Sequence, residues 1–285
     1  MNPRQLLDEA VATLEAGGVE SARTDAEILL SHVLGIPRSM VALSVRPKPD
    51  QVAVFRAMID RRASRVPLQH LTGGVGFRYV DLEVGPGVFV PRPETEVLAG
   101  WAVDAARAAG AAPVVVDLCT GSGAIALSVV HEVPNAVVHA VELDEVALGW
   151  AARNLAGTGV DLRLGDAADA FGDLDGTVDV VVANPPYIPL DAWESVELEA
   201  RDHDPALALW SGEDGLNAIR AVEQTAWRLL KPGGVVGVEH ADAQGVDADN
   251  GGAPAVFHES DHPWNSVRDN PDLSGRPRFA TAQKP

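Results

Sequence analysis

Four consecutive residues, Asn184-Pro185-Pro186-Tyr187, have the most distinctive chemistry in this sequence. They follow the apolar run Val178 to Ala183, which is typical of a buried strand. The side-chain oxygen of Asn184 and the main-chain oxygen of Pro185 can accept both N–H bonds of a planar NH2 group, and a proline adds no competing donor. Pro186 stiffens the loop, and Tyr187 can pack against the planar group. Alone, the tetrapeptide could be a rigid turn after a strand. Together with a glycine-rich turn earlier in the sequence, it predicts a catalytic site that aligns an NH2 nitrogen for methyl transfer by preorganised acceptors, with no metal.

A glycine-rich turn, Asp117 to Ala126, is the second motif that could bind a ligand. It follows the apolar run Val114 to Leu118, and its glycines allow the backbone to approach a ligand at the carboxyl end of a sheet. Glu142 ends another apolar run, 21 residues after Gly121. Its carboxylate can accept hydrogen bonds from both hydroxyls of a ribose.

The glycine pattern leaves three interpretations open. In a dinucleotide enzyme the turn would hold a pyrophosphate at a helix N-terminus. In an S-adenosylmethionine enzyme it would pack around the amino-acid and ribose portions, with an acid such as Asp117 before it. The turn could also bind no ligand. Asp166, just after a third apolar run, could set the backbone of Ala167 against an adenine ring, and Cys119 is expected to be a small packed residue rather than a nucleophile.

Alternating strands and helices must position these residues. Apolar runs predict five strands, separated by helix-like segments, which is the pattern of a mostly parallel sheet covered on both faces. The predicted strands are Val114 to Leu118, Val137 to Glu142, Val160 to Leu164, Val178 to Ala183 and Gly234 to Glu239. The predicted helices are Glu94 to Ala109, Ala124 to Val130, Glu145 to Leu155 and Leu216 to Leu230. Two final strands are expected at Asn265 to Arg268 and Arg278 to Ala282, and Ala241 to Ala253 is expected to be a mobile loop away from the chemistry.

The chain before the sheet has a different character. Helical spacing of apolar residues predicts a small helical domain over residues 1–66, and alternation with several glycines predicts a β-hairpin linker over 67–92. The predicted catalytic domain is 93–285.

Charge distinguishes the same two regions. The 285 residues include 22 Lys plus Arg and 41 Asp plus Glu, a formal net charge of -19. Residues 1–66 contain 9 basic and 8 acidic residues, and the remainder contains 13 and 33. This acidity argues against a nucleic-acid partner, because such binding depends on Lys and Arg that displace counterions. With one cysteine and no apolar run near the roughly 18 residues of a membrane span, we expect a cytoplasmic monomer that binds no membrane.

A longer block, Val88-Phe89-Val90-Pro91-Arg92-Pro93-Glu94-Thr95-Glu96, accompanies the two motifs. Asp214-Gly215-Leu216 and Asp272-Leu273-Ser274-Gly275-Arg276-Pro277-Arg278 follow later in the chain. Over nearly its whole length the sequence resembles the N5-glutamine methyltransferases that modify peptide chain release factors. The resemblance implies a class I S-adenosylmethionine-dependent methyltransferase fold, Rossmann-like and α/β, with a mostly parallel seven-stranded sheet.

The resemblance also implies roles for particular residues. The substrate would be the Gln of the Gly-Gly-Gln loop of a release factor, held by Asn184, Pro185, Pro186 and Tyr187, with Asn184, Pro185 and Tyr187 catalytic. The cofactor S-adenosylmethionine would contact Asp117, Cys119, Thr120, Gly121, Ser122, Gly123, Glu142, Asp166, Ala167 and Asn184. The helical domain would recognise the release factor.

The sequence departs from the family in a few places. Cys119 stands where Gly is usual, Glu142 where Asp is commoner, and Asp204-Pro205-Ala206 replaces a Glu-Pro-Arg block. Two other functions remain as alternatives at this point. An adenine-N6 nucleic-acid methyltransferase would use the same tetrapeptide, and a dinucleotide-dependent oxidoreductase or a non-catalytic nucleotide-binding module would use the same glycine-rich turn.

Overall fold

A computed structural model describes residues 2–43, 46–248 and 251–285, and the side chain of Ser195 lies outside this description. Two units are distinguished by their internal contacts. One comprises the chain up to Gly74 together with Glu197–His203, and the other comprises Val75–Val196 and Asp204–Pro285. The three-part division drawn from the sequence stays a prediction.

The first unit begins with helices whose apolar faces form one core. They are α1 (Pro3–Ala16), α2 (Ala22–Leu34), α3 (Pro49–Ala63) and α4 (Leu68–Thr72), with a 3-10 helix at Arg38–Leu43. Asn2 caps α1 by accepting a hydrogen bond from the Gln5 N–H at 2.9 Å. Buried Arg62 of α3 donates to Asp25 and to Glu199 at 2.8 and 2.9 Å, so a charged pair crosses this core.

The hairpin predicted between residues 67 and 92 is shorter than expected. Its strands are β1 (Gly74–Phe77) and β2 (Val80–Glu83), which form a two-stranded sheet. The preceding residues form α4 instead, because Pro67 begins a helical turn and Gly73 ends it in the left-handed conformation at φ +79°.

The second unit continues with alternating helices and strands, most at the predicted positions. In chain order they are α5 (Thr95–Ala109), β3 (Val114–Leu118), α6 (Ala124–Glu132), β4 (Val137–Glu142), α7 (Glu145–Asn154), β5 (Asp161–Leu164), β6 (Val178–Ala183), α8 (Leu198–His203), α9 (Asn217–Leu229), β7 (Leu230–Glu239), α10 (Gly252–Glu259), β8 (Asn265–Pro271) and β9 (Pro277–Gln283). Of these, α8 lies in the segment grouped with the first unit.

Seven strands form one sheet in the order β5-β4-β3-β6-β7-β9-β8. The first five are parallel, whereas β9 pairs antiparallel with both β7 and β8. Two apolar cores cover the two faces, and every residue of β6 is buried. This arrangement confirms the predicted fold class and the two predicted final strands.

The stretch Ala241 to Ala253 differs from the expected mobile loop. Asp242–Gln244 form a 3-10 helix and α10 begins at Gly252, while Asp249 and Asn250 lie outside the described residues. Glycines and a proline concealed α10 in the sequence, and buried Ala253 and Phe257 anchor it to the core. Within the described ranges, no helix is long and apolar enough to cross a membrane.

Candidate active site

The turns that follow β3 and β6 begin at adjacent positions. β4 and β5 lie on one side of β3, and β6 and β7 lie on the other, so the strand order reverses between β3 and β6. Leu118 pairs with Ala183, and the next residues along each chain are Cys119 and Asn184. Ligands of open α/β sheets bind at such a switch point, at the carboxyl ends of the strands.

Left-handed backbone conformations shape the turn after β3. Cys119, Gly121 and Gly123 have φ values of +62°, +58° and +85°. The Thr120 N–H donates to the Val141 carbonyl at 3.0 Å, and the Gly123 N–H donates to the Thr120 carbonyl at 2.8 Å. The chain therefore curls tightly from β3 into α6.

A buried carboxylate, Asp117, lies under this turn. Its Oδ2 accepts hydrogen bonds from the Thr120 hydroxyl at 2.6 Å and from the Ala126 N–H at 3.1 Å. Burial raises the pKa of Asp117 to about 7, although both hydrogen bonds oppose that shift. Its other oxygen, Oδ1, is buried and has no hydrogen-bond partner among the residues that the structure describes.

The two glycines of the turn face different surroundings. A side chain at Gly123 would lie 3.1 Å from Leu155 Cγ, whereas one at Gly121 would meet nothing within 4 Å. A side chain at Gly123 would therefore press closely on Leu155, and Gly121 leaves space open beside the turn.

Glu142 at the end of β4 binds the turn directly. Its carboxylate accepts from the Gly121 N–H at 2.8 Å and from the Asp144 N–H at 2.9 Å. Burial is the largest cause of its raised pKa. The sequence predicted that this carboxylate accepts hydrogen bonds from a ribose. The two backbone bonds use some of its lone pairs, the others remain available, and the ribose contact stays a prediction.

The other predicted cofactor residues surround the same edge. Ser122 is buried, and its carbonyl accepts from Asn154 Nδ2 at 2.8 Å. Asp166 is exposed and caps its own loop by accepting from the Ala168 N–H at 2.9 Å, and the adjacent Ala167 packs against the core. Burial raises the pKa of the Cys119 thiol, which keeps it protonated and a poor nucleophile.

The loop after β6 presents the predicted catalytic residues together. Asn184 is half-buried, and its Nδ2 donates to the Thr95 hydroxyl at 3.2 Å. Pro185 is buried and Pro186 is half-buried. Burial is also the main cause of a raised pKa at Tyr187, whose hydroxyl lies 3.5 Å from Glu239 Oε1.

Sequence reasoning missed the supports of this loop. Gln244 Nε2 donates to the Tyr187 carbonyl at 2.9 Å and to the Asp214 carbonyl at 3.2 Å. Gly215, at φ +75°, would place a Cβ 2.3 Å from that Tyr187 carbonyl. The expectation that residues 241–253 lie away from the chemistry is therefore wrong, because Gln244 bonds the loop that carries the predicted catalytic residues.

The sequence alone assigned no function to two further residues that lie beside this loop, Thr95 and Glu239. Thr95 belongs to the Pro-Arg-Pro-Glu-Thr-Glu block and is buried at the start of α5. Glu239 ends β7 and is 1% exposed. Burial raises its pKa to about 7, while hydrogen bonds from Thr95 and Tyr187 and the positive charge of Arg278 lower it. The acid at the end of an otherwise apolar strand was the one signal in the sequence.

Two family models match successive parts of the chain. The PrmC N-terminal domain matches residues 5–73, and the methyltransferase small domain matches residues 102–195. A release factor glutamine methyltransferase of Streptomyces coelicolor is 57% identical over 277 residues, which cover 97% of this chain and 96% of the relative. The chain belongs to the release factor glutamine methyltransferase family.

Other relatives extend this family comparison. The release factor glutamine methyltransferase of Mycolicibacterium smegmatis is 44% identical and covers 99% of this chain and 97% of its own. A 4-amino-L-phenylalanine/4-methylamino-L-phenylalanine methyltransferase of Streptomyces pristinaespiralis is 40% identical and covers 94% of this chain and 90% of its own. A relative that is 40% identical to this chain is thus named for methylation of an amino acid rather than of a release factor.

Family membership decides between the interpretations that the glycine-rich turn left open. The family is S-adenosylmethionine-dependent, so the methyl-donor interpretation is confirmed and the dinucleotide interpretation is not supported. The structure offers chemistry that suits this methyl donor, which carries an ammonium group and a ribose. The buried, unpartnered Oδ1 of Asp117 is an acceptor for a cation, and the space beside Gly121 adjoins the Glu142 carboxylate.

Proposed function

We propose that this protein transfers the methyl group of S-adenosylmethionine to the side-chain amide nitrogen of the Gln in the Gly-Gly-Gln loop of peptide chain release factors. The observation that carries the proposal is the 57% identity over nearly the whole chain to a release factor glutamine methyltransferase. The half-buried Asn184 amide beside buried Pro185 supports it chemically. These groups suit a substrate with two N–H bonds and no charge.

The residues of the turn after β3 would hold the cofactor in this proposal. Asp117, Cys119, Thr120, Gly121, Ser122 and Gly123 line the turn, while Glu142, Asp166, Ala167 and Asn184 surround it. S-adenosylmethionine, when bound, supplies an electrophilic methyl group on a sulfonium. Because burial keeps the Cys119 thiol protonated, it would not compete as a methyl acceptor.

Catalysis would rest on alignment of a weak nucleophile. An amide lone pair is delocalised, so the nitrogen must be held on line with the methyl carbon. The Asn184 and Pro185 oxygens would accept the two N–H bonds and stabilise the positive charge that develops on nitrogen. The amide nitrogen would gain the methyl group, the sulfonium would be left as a neutral thioether, and the nitrogen would then release a proton to solvent. Pro186 and Tyr187 would complete the wall of the substrate site.

The remaining features of the proposal concern partners and location. We place the protein in the cytoplasm as a monomer, with residues 1–66 recognising the release factor. The net charge of -20 over residues 67–285 favours a protein substrate over nucleic acid, because phosphate binding would require a basic surface.

A labelling experiment tests the proposed substrate. The purified protein is incubated with methyl-labelled S-adenosylmethionine and either a release factor or its variant with Ala in place of the loop Gln. Label is expected in the first and not in the second. Equal labelling of both proteins would exclude the assigned acceptor nitrogen. Duplex DNA is offered as a third substrate in a separate reaction, and label in it would support the adenine alternative.

A second candidate is methylation of an aromatic amino group. It is favoured by the 40% identity to the 4-amino-L-phenylalanine/4-methylamino-L-phenylalanine methyltransferase. The same two oxygens could accept the N–H bonds of an arylamine. Free 4-amino-L-phenylalanine is therefore included in the labelling experiment, and efficient methylation of it with no label in the release factor would favour this candidate.

A further inference from the structure

A buried carboxyl group lies behind the catalytic loop. Ala183 of β6 pairs with Val238 of β7, so Asn184 and Glu239 follow their strands at neighbouring positions. Glu239 is 1% exposed, yet its Oε2 has no hydrogen-bond partner within the described part of the chain. Burial of a carboxyl group is costly, which calls for a reason why one is placed here.

The Thr95 hydroxyl connects this carboxyl group to Asn184. Asn184 Nδ2 donates to Thr95 Oγ1 at 3.2 Å, so the hydroxyl acts there as an acceptor. Its single proton remains for another partner, and the hydrogen bond from Thr95 is one of the causes that lower the pKa of Glu239. An ionised carboxylate can only accept hydrogen bonds. The polarity of the chain therefore runs from Asn184 through Thr95 to Glu239.

This direction of hydrogen bonding determines which end of the Asn184 side-chain amide is bound within the protein and which end is free to bind a substrate. Its NH2 end is bound to Thr95, so its carbonyl oxygen is left as the acceptor for a substrate. If the hydroxyl instead donated to Asn184, the amide would turn over and present N–H groups to a substrate NH2. Two donors facing each other would repel, and the substrate nitrogen would lose an acceptor.

Glu239 also reaches a second side chain of the substrate site. The Tyr187 hydroxyl lies 3.5 Å from Glu239 Oε1. The Glu239 carboxylate thus accepts from Thr95, which leads to Asn184, and from Tyr187 itself. Arg278 lowers the pKa of Glu239 and Glu94 raises it, so the surroundings contribute charges of both signs.

We propose that Glu239 and Thr95 are positioning residues for methyl transfer. Glu239 accepts a hydrogen bond from the Thr95 hydroxyl, and Thr95 Oγ1 accepts one from the Asn184 NH2 group. The Asn184 side-chain oxygen is thereby turned toward the substrate NH2 group. This proposal rests on the proposed function, since the substrate must present N–H bonds. It gives the Thr of the Pro-Arg-Pro-Glu-Thr-Glu block a task in orienting the catalytic amide.

A matched pair of substitutions tests Thr95. Thr95→Val removes the hydroxyl and keeps the shape, and we expect kcat at saturating substrates to fall about 30-fold, with the dissociation constant for S-adenosylmethionine within about 3-fold of wild type. Thr95→Ser restores the hydroxyl and should recover most of the lost rate. Equal rates for the Val and Ser variants would overturn the proposal.

Thr281→Val provides the control for loss of a buried hydroxyl. Thr281 of β9 accepts from Asn270 Nδ2 at 3.1 Å, the same type of bond at nearly the same length. This variant should keep kcat near the wild-type value. If loss of any buried hydroxyl lowered kcat through poorer packing, kcat would fall here as well. A loss of kcat in Thr281→Val equal to that in Thr95→Val would contradict a specific role.

Glu239 is tested by its own pair. Glu239→Gln keeps an oxygen that can accept from Thr95 and Tyr187, while Glu239→Leu keeps none. We expect the Leu variant to lose about 30-fold in kcat and the Gln variant to lose much less. Circular dichroism and cofactor binding verify that each variant is folded, and a folded Leu variant with wild-type kcat would overturn the proposal. If wild-type protein labels no release factor, the proposed function fails instead, which distinguishes the two claims.

Discussion

The turn after β3 is held by residues at most 32 positions away, which include Glu142 and Asn154, whereas the loop after β6 is held by residues 57 and 89 positions away. Asp117 bonds Thr120 and Ala126, three and nine residues away. Asn184 bonds Thr95 at a separation of 89 residues, and Gln244 reaches the Tyr187 carbonyl across 57.

This difference indicates how each region responds to change. The first turn depends on its own left-handed backbone and on Glu142 of β4 and Asn154 of α7, which follow soon after it in the chain. The catalytic loop depends on α5, β7 and the segment after β7. Damage at a distance should therefore affect the chemical step more than cofactor binding.

The largest expected effect is on kcat, and it is expected from a substitution of Asn184 in the loop after β6. Asn184→Ala removes the side-chain acceptor, and we expect kcat to fall about 1000-fold, since loss of one preorganised hydrogen bond to the transition state costs roughly 100- to 1000-fold. The dissociation constant for S-adenosylmethionine, measured by calorimetry, should change much less. A loss of cofactor affinity as large as the loss of kcat would contradict the assignment of Asn184 mainly to the substrate NH2 group, beside its contact with the cofactor.

A smaller effect is expected from a glycine outside both motifs. In Gly215→Ala, the new methyl group would lie 2.3 Å from the Tyr187 carbonyl and 2.6 Å from Gln244 Nε2. The loop must move, and we expect kcat to fall about 100-fold, as misplacement by about 1 Å can cause.

Gly176→Ala is the control for backbone strain at that glycine. Gly176 has φ +69°, similar to the +75° of Gly215, but a Cβ there would meet nothing within 4 Å. Equal activity losses in the two variants would assign the effect to left-handed strain rather than to the loop.

The third prediction concerns the bonds from Gln244. Gln244→Leu removes the donors to the Tyr187 and Asp214 carbonyls, of which the first lies in the loop. We expect about a 10-fold loss in kcat, because a lost hydrogen bond costs about 1 kcal/mol. Gln283→Leu is the matched control, since Gln283 Nε2 bonds the Gly233 carbonyl at 3.0 Å on an exposed edge. If Gln244→Leu behaves like Gln283→Leu, the loop does not depend on Gln244.

The smallest expected effect lies in the first turn and appears in stability. Burial raises the pKa of folded Asp117 from 3.8 to about 7. The folded protein therefore binds more protons than the unfolded chain in that window, and stability falls as pH rises from 3.8 to about 7 and is constant above.

Because of this residue, the free energy of unfolding should be about 1 kcal/mol lower at pH 8 than at pH 6. Denaturation without cofactor at both pH values measures the cost, and Asp117→Asn should show a smaller decrease. Because Glu239 has a similarly raised pKa, part of the decrease should remain. An unchanged decrease in Asp117→Asn would show that Asp117 does not titrate in this range.

Strands and local motifs were predictable because their signals are local. The bounds of β3, β4 and β6 agree with the apolar runs, since fully buried parallel strands have nearly continuous apolar sequences. By contrast, α10 was missed because Gly251 and Gly252 read as a loop. A Cβ at Gly252 would lie 2.0 Å from the Gln244 carbonyl, so this glycine meets a packing demand that no local pattern shows.

By itself, the sequence determined the mostly parallel sheet, the glycine-rich turn and the tetrapeptide that suits an NH2 nitrogen. These depend on periodicity and on residue types within a few positions of one another. Only the tertiary structure decided that Thr95, Glu239 and Gln244 contact the loop after β6. Their contacts arise from the register of β6 against β7 and from where α5 begins, and such long-range contacts leave no periodic trace in the chain.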